Sequence, residues 1–179
     1  MYLKDLVIDK KWTLFLDRDG VINTRLVDDY VKNWIEFEFI EGAITAIRDL
    51  TKKFGRTVVV TNQQGIGKGI YTREDLELIH KNMLYELAYH GGVIDKVYYS
   101  PYLAGDKHPS RKPSNGMAMQ AKSDFPEIEF SKSLMVGDSS SDIAFGKSLG
   151  MVTVFIGEIN STQADFCFPS LRLFADQLL

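Results

Sequence analysis

Trp12-Thr13-Leu14-Phe15-Leu16-Asp17-Arg18-Asp19-Gly20 decides how this chain is read. A short apolar run ends directly on a carboxylate. A run without polar alternation, closed by an acidic turn, predicts a strand buried on both faces. Residues two apart on an extended chain point the same way. The Asp17 and Asp19 carboxylates can therefore face one site just past the strand.

The same arrangement recurs further along. Thr57 to Val60 is a β-branched run ending at Thr61, and Leu134 to Val136 ends at Gly137-Asp138. Helical spacing fills the intervals. Ala43, Ile44, Ile47 and Leu50 form one apolar stripe. Thr72 is placed to cap a longer helix with Leu76, Ile79, Met83, Leu84 and Leu87 inward, ended by Gly91-Gly92. Val93 to Tyr99 predicts a strand. Pro113 and Ser114 introduce a helix carrying Met117, Ala118 and Ala121. Ile143 to Leu149 predicts a short helix, Val152 to Ile156 a strand and Phe166 to Phe168 another. Pro169 opens a last helix with Leu171, Phe174 and Leu178 inward. This alternation predicts an α/β fold with a parallel sheet covered on both faces. Such sheets bind ligands at the carboxyl ends of their strands, where Asp17, Thr61 and Asp138 fall.

The bulk numbers exclude several classes. A length of 179 residues fits one domain, residues 1–179. The net charge of −3 argues against a general nucleic-acid binder. The single cysteine, Cys167, rules out an intramolecular disulfide and a cysteine-held zinc. Residues 1–12 have no long apolar core, so neither a signal peptide nor a membrane span is expected, and the cytoplasm is the expected compartment. Asn160-Ser161-Thr162 fits a glycosylation acceptor, which matters only in a secreted protein, and is read as chance.

The residue types at the strand ends suit phosphoryl transfer. With magnesium keeping it ionised, Asp17 can attack phosphorus and form an aspartyl-phosphate. Asp19 can protonate the leaving alkoxide and then take a proton from the hydrolytic water. Magnesium takes oxygen ligands, and Asp17 and Asp138 supply two. Asp142, one helical turn on, can sit behind the metal or orient a lysine. Thr61-Asn62 offers a hydroxyl and backbone N–H groups to phosphate oxygens. Lys112 offers a cation to the transferring phosphoryl group, and Arg111 a bidentate clamp for a second anion. Gly65-Ile66-Gly67-Lys68-Gly69 lacks the spacing of a phosphate loop and reads as a loop after a strand. His80, His90 and His108 share no metal-ligand spacing, and His80 and His90 are expected on a helix surface.

Together these segments resemble a known family. Phe15-Leu16-Asp17-Arg18-Asp19-Gly20-Val21-Ile22-Asn23, Val60-Thr61-Asn62-Gln63, Arg111-Lys112-Pro113 and Val136-Gly137-Asp138 through Asp142 resemble the four motifs of the haloacid dehalogenase superfamily of phosphatases, in order and spacing. Asp29-Tyr30-Val31, Phe39-Ile40-Glu41-Gly42, Gln63-Gln64-Gly65-Ile66-Gly67-Lys68-Gly69 and Tyr98-Tyr99-Ser100-Pro101 are similar to the branch holding heptose bisphosphate and histidinol-phosphate phosphatases. The resemblance implies a Rossmann-like three-layer core and magnesium. It implies Asp17 as nucleophile, Asp19 as acid/base, Thr61 and Lys112 as phosphate binders and Asp138 as metal ligand. It also implies that the Asp19 backbone carbonyl ligates magnesium and that Arg111 contacts substrate.

One departure stands out. Many members of that branch hold a structural zinc before the Arg-Lys-Pro motif. Here serines stand where cysteines are expected, between Ser100 and Ser110, and only His108 remains as a ligand. One ligand makes no tetrahedral site, so no structural zinc is expected, and packing through Tyr99 and Tyr102 must hold the loop. The intervals after the first motif and before the third are too short for a cap domain. Specificity then falls to the loops at 23–34 and 100–111, with a homo-oligomer left open. The sequence thus points to a phosphatase for a small sugar phosphate, with a heptose bisphosphate as the expected substrate. Histidinol phosphate is the alternative. A polynucleotide-end phosphatase is disfavoured by the acidic balance, and a phospho-receiver by Asp19, which promotes turnover.

Overall fold

The computed structural model describes residues 3–158 and 163–179; the Asn160-Ser161-Thr162 triplet lies outside the described residues. Six strands form one sheet: β1 (Thr13–Leu16), β2 (Arg56–Asn62), β3 (Lys96–Ser100), β4 (Ser133–Gly137), β5 (Val152–Ile156) and β6 (Phe166–Phe168). Their order is β3-β2-β1-β4-β5-β6, and every neighbouring pair is parallel. The chain therefore winds outward from β1 first one way, then the other. The switch lies between β1 and β4, where such sheets open a crevice.

The pleat sorts the apolar residues into two cores. Leu14 and Leu16 of β1 join Val59, Val136 and Val154 on one face. There they meet α1 (Ala43–Lys53), α2 (Arg73–Tyr89) and α5 (Leu171–Leu178) through Ile47, Leu50, Ile79, Met83, Leu87 and Phe174. Phe15 points the other way and packs with Val58, Val60 and Met135 against α3 (Gly116–Asp124) and α4 (Ser140–Ser148). Each fully buried side chain of this kind contributes about 1.5–3 kcal/mol. Three consecutive ones make β1 a rigid mount for whatever follows Leu16. The result is the Rossmann-like three-layer sandwich expected from the sequence.

Differences are local and have physical causes. The third strand begins at Lys96, not Val93. The Asp95 backbone N–H donates to the Thr57 carbonyl, and its carboxylate accepts from the Thr57 N–H and the Arg56 guanidinium. These bonds turn the chain at the sheet's lower edge and leave Val93 exposed. The last helix is capped by Ser170, whose hydroxyl accepts from the Leu173 N–H, rather than opened by Pro169. Thr72 caps α2 as expected, reciprocally with Asp75. Residues 17–42 carry a 3-10 turn, Trp34–Glu36, and isolated bridges; residues 101–115 carry a 3-10 turn, Ala104–Asp106. Neither interval holds a cap domain. No helix among the described residues is long and apolar enough to cross a membrane.

Candidate active site

Three adjoining strands, β2, β1 and β4, bring the expected residues to one end of the sheet. The Asp17 N–H donates to the Val136 carbonyl at 2.9 Å, which prolongs the β1–β4 pairing by one residue and fixes the carboxylate above it. Asp17, Asp19, Thr61, Asn62, Arg111, Lys112, Asp138 and Asp142 all line one cleft of about 600 Å³.

Lys112 is the centre of the charge arrangement. Its ammonium is 2.8 Å from Asp17 Oδ1 and 2.6 Å from Asp142 Oδ1, and it donates to the Val60 carbonyl. Burial opposes its charge, but the two carboxylates outweigh burial and hold its pKa above the usual lysine value. Burial first, then the Asp142 charge, push Asp17 up to about 7, against the pull of Lys112. Asp142 is fully buried against the Lys112 ammonium, and its carboxylate also stands within reach of those of Asp17 and Asp138. Gly137 makes this possible, since a Cβ there would lie 2.2 Å from Asp142 Cβ.

Asp19 is held at both carboxylate oxygens. Arg18 Nε and Nη2 and the Asn23 amide donate to its Oδ1, and the Gln63 amide donates to its Oδ2 at 2.7 Å. Burial would raise its pKa, but the Arg18 charge and these hydrogen bonds leave it below the usual carboxylate value. Gln63 also donates to the Thr61 hydroxyl at 2.8 Å, which leaves the hydroxyl proton for another acceptor. The Asn62 side chain brackets the Lys112 peptide, donating to its carbonyl and accepting from its N–H. It therefore aims the lysine.

The donor set fits a hard divalent cation. Oxygens of Asp17, Asp138 and Asp142 lie within 4.8 Å of one another. Gly20, at φ +84°, lets Asp138 press close: a Cβ there would lie 2.1 Å from Asp138 Oδ2. Burial raises the Asp138 pKa, partly offset by Arg25, whose guanidinium donates to Oδ2 at 3.1 Å. Asp17 and Asp138, whose pKa values burial raises, gain from a cation between them. Arg25 was missed from the sequence because nothing in its spacing ties it to Asp138.

Hydrogen bonds and ring stacking fasten the rim loops. Ser100 Oγ meets Ser110 Oγ at 3.1 Å, and the Ser110 hydroxyl and N–H both reach His108 Nδ1. The His108 ring stacks on Tyr102, whose carbonyl accepts from Arg111 Nη1 at 3.0 Å. It is Tyr102, stacked on His108, that packs this loop; Tyr99 instead meets the ring of His80 on α2. Across the cleft, the Tyr30 hydroxyl accepts from Gln64, and Lys68 lies over its ring at 5.2 Å.

One expectation is overturned. His80 is not on the helix surface but buried, with Nε2 3.2 Å from Arg18 Nη1. Burial, then the Arg18 charge, push its pKa down to about 3. The signal was available: His80 is four residues from Leu76 and in phase with the buried stripe of α2. His90 is exposed at the end of α2.

Comparison with known proteins agrees with the geometry. The HAD-hydrolase-like family model matches residues 109–168. The chain is 39% identical over 171 residues to the D-glycero-alpha-D-manno-heptose-1,7-bisphosphate 7-phosphatase of Mycobacterium tuberculosis, covering 92% of this chain and 90% of that one. It is 39% identical over 143 residues to the beta-anomer enzyme of Escherichia coli, covering 73% and 70%. The crystal structure of D,D-heptose 1,7-bisphosphate phosphatase from B. bronchiseptica, complexed with magnesium and phosphate, superposes with a TM-score of 0.84 at 28% identity, covering 93% and 97%. On this sequence, fold and site, the chain belongs to the haloacid dehalogenase superfamily, in its branch of heptose-1,7-bisphosphate phosphatases, and is a sugar phosphatase.

Proposed function

We propose that this chain, as a single catalytic domain over residues 1–179, hydrolyses the 7-phosphate of a D-glycero-D-manno-heptose 1,7-bisphosphate, using magnesium. The observation that carries the reading is the division of the cleft. Asp17, Lys112, Thr61 and Asp138 gather at the strand ends, while Arg111 lies on the rim, tied to the Tyr102 carbonyl. One wall suits the phosphate that is cleaved and the other a phosphate that is kept. The relatives act on both anomers, so the anomer is left to assay.

Asp17 attacks phosphorus, and the ester oxygen leaves with a proton delivered by Asp19. Water then attacks the aspartyl-phosphate on Asp17, with Asp19 taking the proton. Asp19 is ionised at rest, as the base role needs; an arriving phosphate dianion raises its pKa and lets it carry the proton for the acid role. Lys112 and the Thr61 hydroxyl hold the transferring phosphoryl oxygens. Asp17, Asp138 and the Asp19 carbonyl would hold magnesium, which supplies neutralising charge to the phosphoryl oxygens. EDTA should abolish activity and added magnesium restore it; turnover that persists in EDTA at full rate would remove the metal from the reading.

Arg111→Ala separates the substrates. A retained phosphate gives Arg111 charge-assisted hydrogen bonds of about 1.5–3 kcal/mol each. Loss of Arg111 should lower kcat/KM for the heptose bisphosphate by about ten- to a hundredfold and barely change a monophosphate, at about 1.4 kcal/mol per tenfold. Histidinol phosphate carries an amine instead, so there the change should be neutral or favourable. Equal losses on bisphosphate and monophosphate would put Arg111 at the cleaved phosphate.

A further inference from the structure

The two oxygens of Asp19 are held by separate lines. Oδ2 accepts from Gln63, whose own carbonyl accepts from the buried Tyr71 hydroxyl at 2.6 Å. Oδ1 accepts from Asn23 and from two nitrogens of Arg18. Arg18 is only 1% exposed, with the Phe37 ring 6.0 Å from its guanidinium carbon. Its third nitrogen, Nη1, points away from Asp19 and reaches His80 Nε2. A guanidinium only donates, so Nε2 is the acceptor and the His80 proton sits on Nδ1.

His80 stands where α2 otherwise presents apolar residues to the core: Leu76, Ile79, Met83 and Leu87. A buried imidazole there is costly unless it is hydrogen-bonded. What it gains is an acceptor for the one side of Arg18 that would otherwise be buried unmet, itself a destabilising arrangement. The His80 ring is fixed in turn by an edge contact with Tyr99, at 6.0 Å. Helix α2 therefore reaches Asp19 through a rigid relay of His80 and Arg18. No other side chain on α2 has such a connection among the hydrogen bonds of the described residues.

We propose that His80 is a positioning residue for proton transfer: it holds Arg18 so that Arg18 holds Asp19 at the leaving group. This rests on the acid/base role assigned to Asp19 above. A purely structural role for His80 would slow all substrates alike. A positioning role is selective. An alkyl leaving group needs the proton from Asp19, whereas p-nitrophenolate leaves without one.

The experiment measures kcat/KM for a sugar phosphate and for p-nitrophenyl phosphate, with wild type, His80→Leu, His80→Gln and Asp19→Asn. Misplaced proton transfer costs about ten- to a hundredfold, so His80→Leu should lose that much on the sugar phosphate. On the aryl phosphate it should stay within about threefold. His80→Gln, whose carbonyl can accept from Arg18, should recover most of the sugar phosphate rate. Equal loss on both substrates, no loss with Leu, or a Gln variant as poor as Leu each overturns the proposal. If His80→Leu does not fold, His80→Met takes its place under the same criteria. Asp19→Asn tells the two failures apart. If it discriminates between the substrates and His80→Leu does not, His80 alone is misassigned; if it does not discriminate, the role of Asp19 falls and the proposal with it.

Discussion

Asp17→Asn should abolish turnover, by more than about a thousandfold, and leave the fold standing. The loss follows from chemistry: an amide is a poor nucleophile and a poor ligand for a hard cation. The survival of the fold follows from the site. Burial and Asp142 already push the Asp17 pKa to about 7, so an uncharged group of the same shape belongs there without strain. Lys112 keeps Asp142 as its counter-ion at 2.6 Å. The check is phosphate release alongside a urea titration. Near-wild-type turnover by pure variant would end the covalent mechanism, whereas a collapsed midpoint would show that Asp17 also carries structure.

Lys112→Met should do both kinds of damage. Lys112 is the counter-ion for Asp17 and for Asp142, which is fully buried. Removing one partner of a buried pair leaves an uncompensated charge and costs about 3–5 kcal/mol. Turnover should fall with it, since the transferring phosphoryl group loses its cation. The double variant Lys112→Met/Asp142→Asn separates the two effects, because neutralising Asp142 removes the fully buried orphaned charge and Asp17, whose pKa burial already raises, can take up a proton. Stability should largely return, measured by urea unfolding, and activity should not. If turnover returns with stability, Lys112 is only a counter-ion and has no part in catalysis.

The strands that mount the site were legible in the sequence because each is an apolar run ending on a reactive residue. Leu14-Phe15-Leu16 before Asp17 is the clearest, and the two faces it feeds are the two cores of the structure. Four motifs in order carried the site residues themselves. What the sequence did not yield are contacts made across the fold. Arg25 to Asp138 joins residues 113 apart, and Asn62 to Lys112 residues 50 apart. No periodicity links such pairs. His80 is a different case: the phase of α2 placed it inward, but its polarity argued for the surface. Phase should prevail where a buried cation such as Arg18 waits for an acceptor. Val93 misled for a local reason, since apolar residues after a helix-ending glycine read as strand until Asp95 claims the turn.

The loop closed by Ser100, Ser110, His108 and Tyr102 has a bearing on redox chemistry. Oxygen, nitrogen and ring stacking do the fastening there, and none of these groups is a thiol. The chain's one cysteine, Cys167, lies on β6, at the opposite edge of the sheet from β3, which leads into this loop. Peroxide and alkylating agents therefore find no thiol beside Arg111. An oxidising interval that would cross-link a cysteine-rich loop leaves this rim in the form that meets substrate.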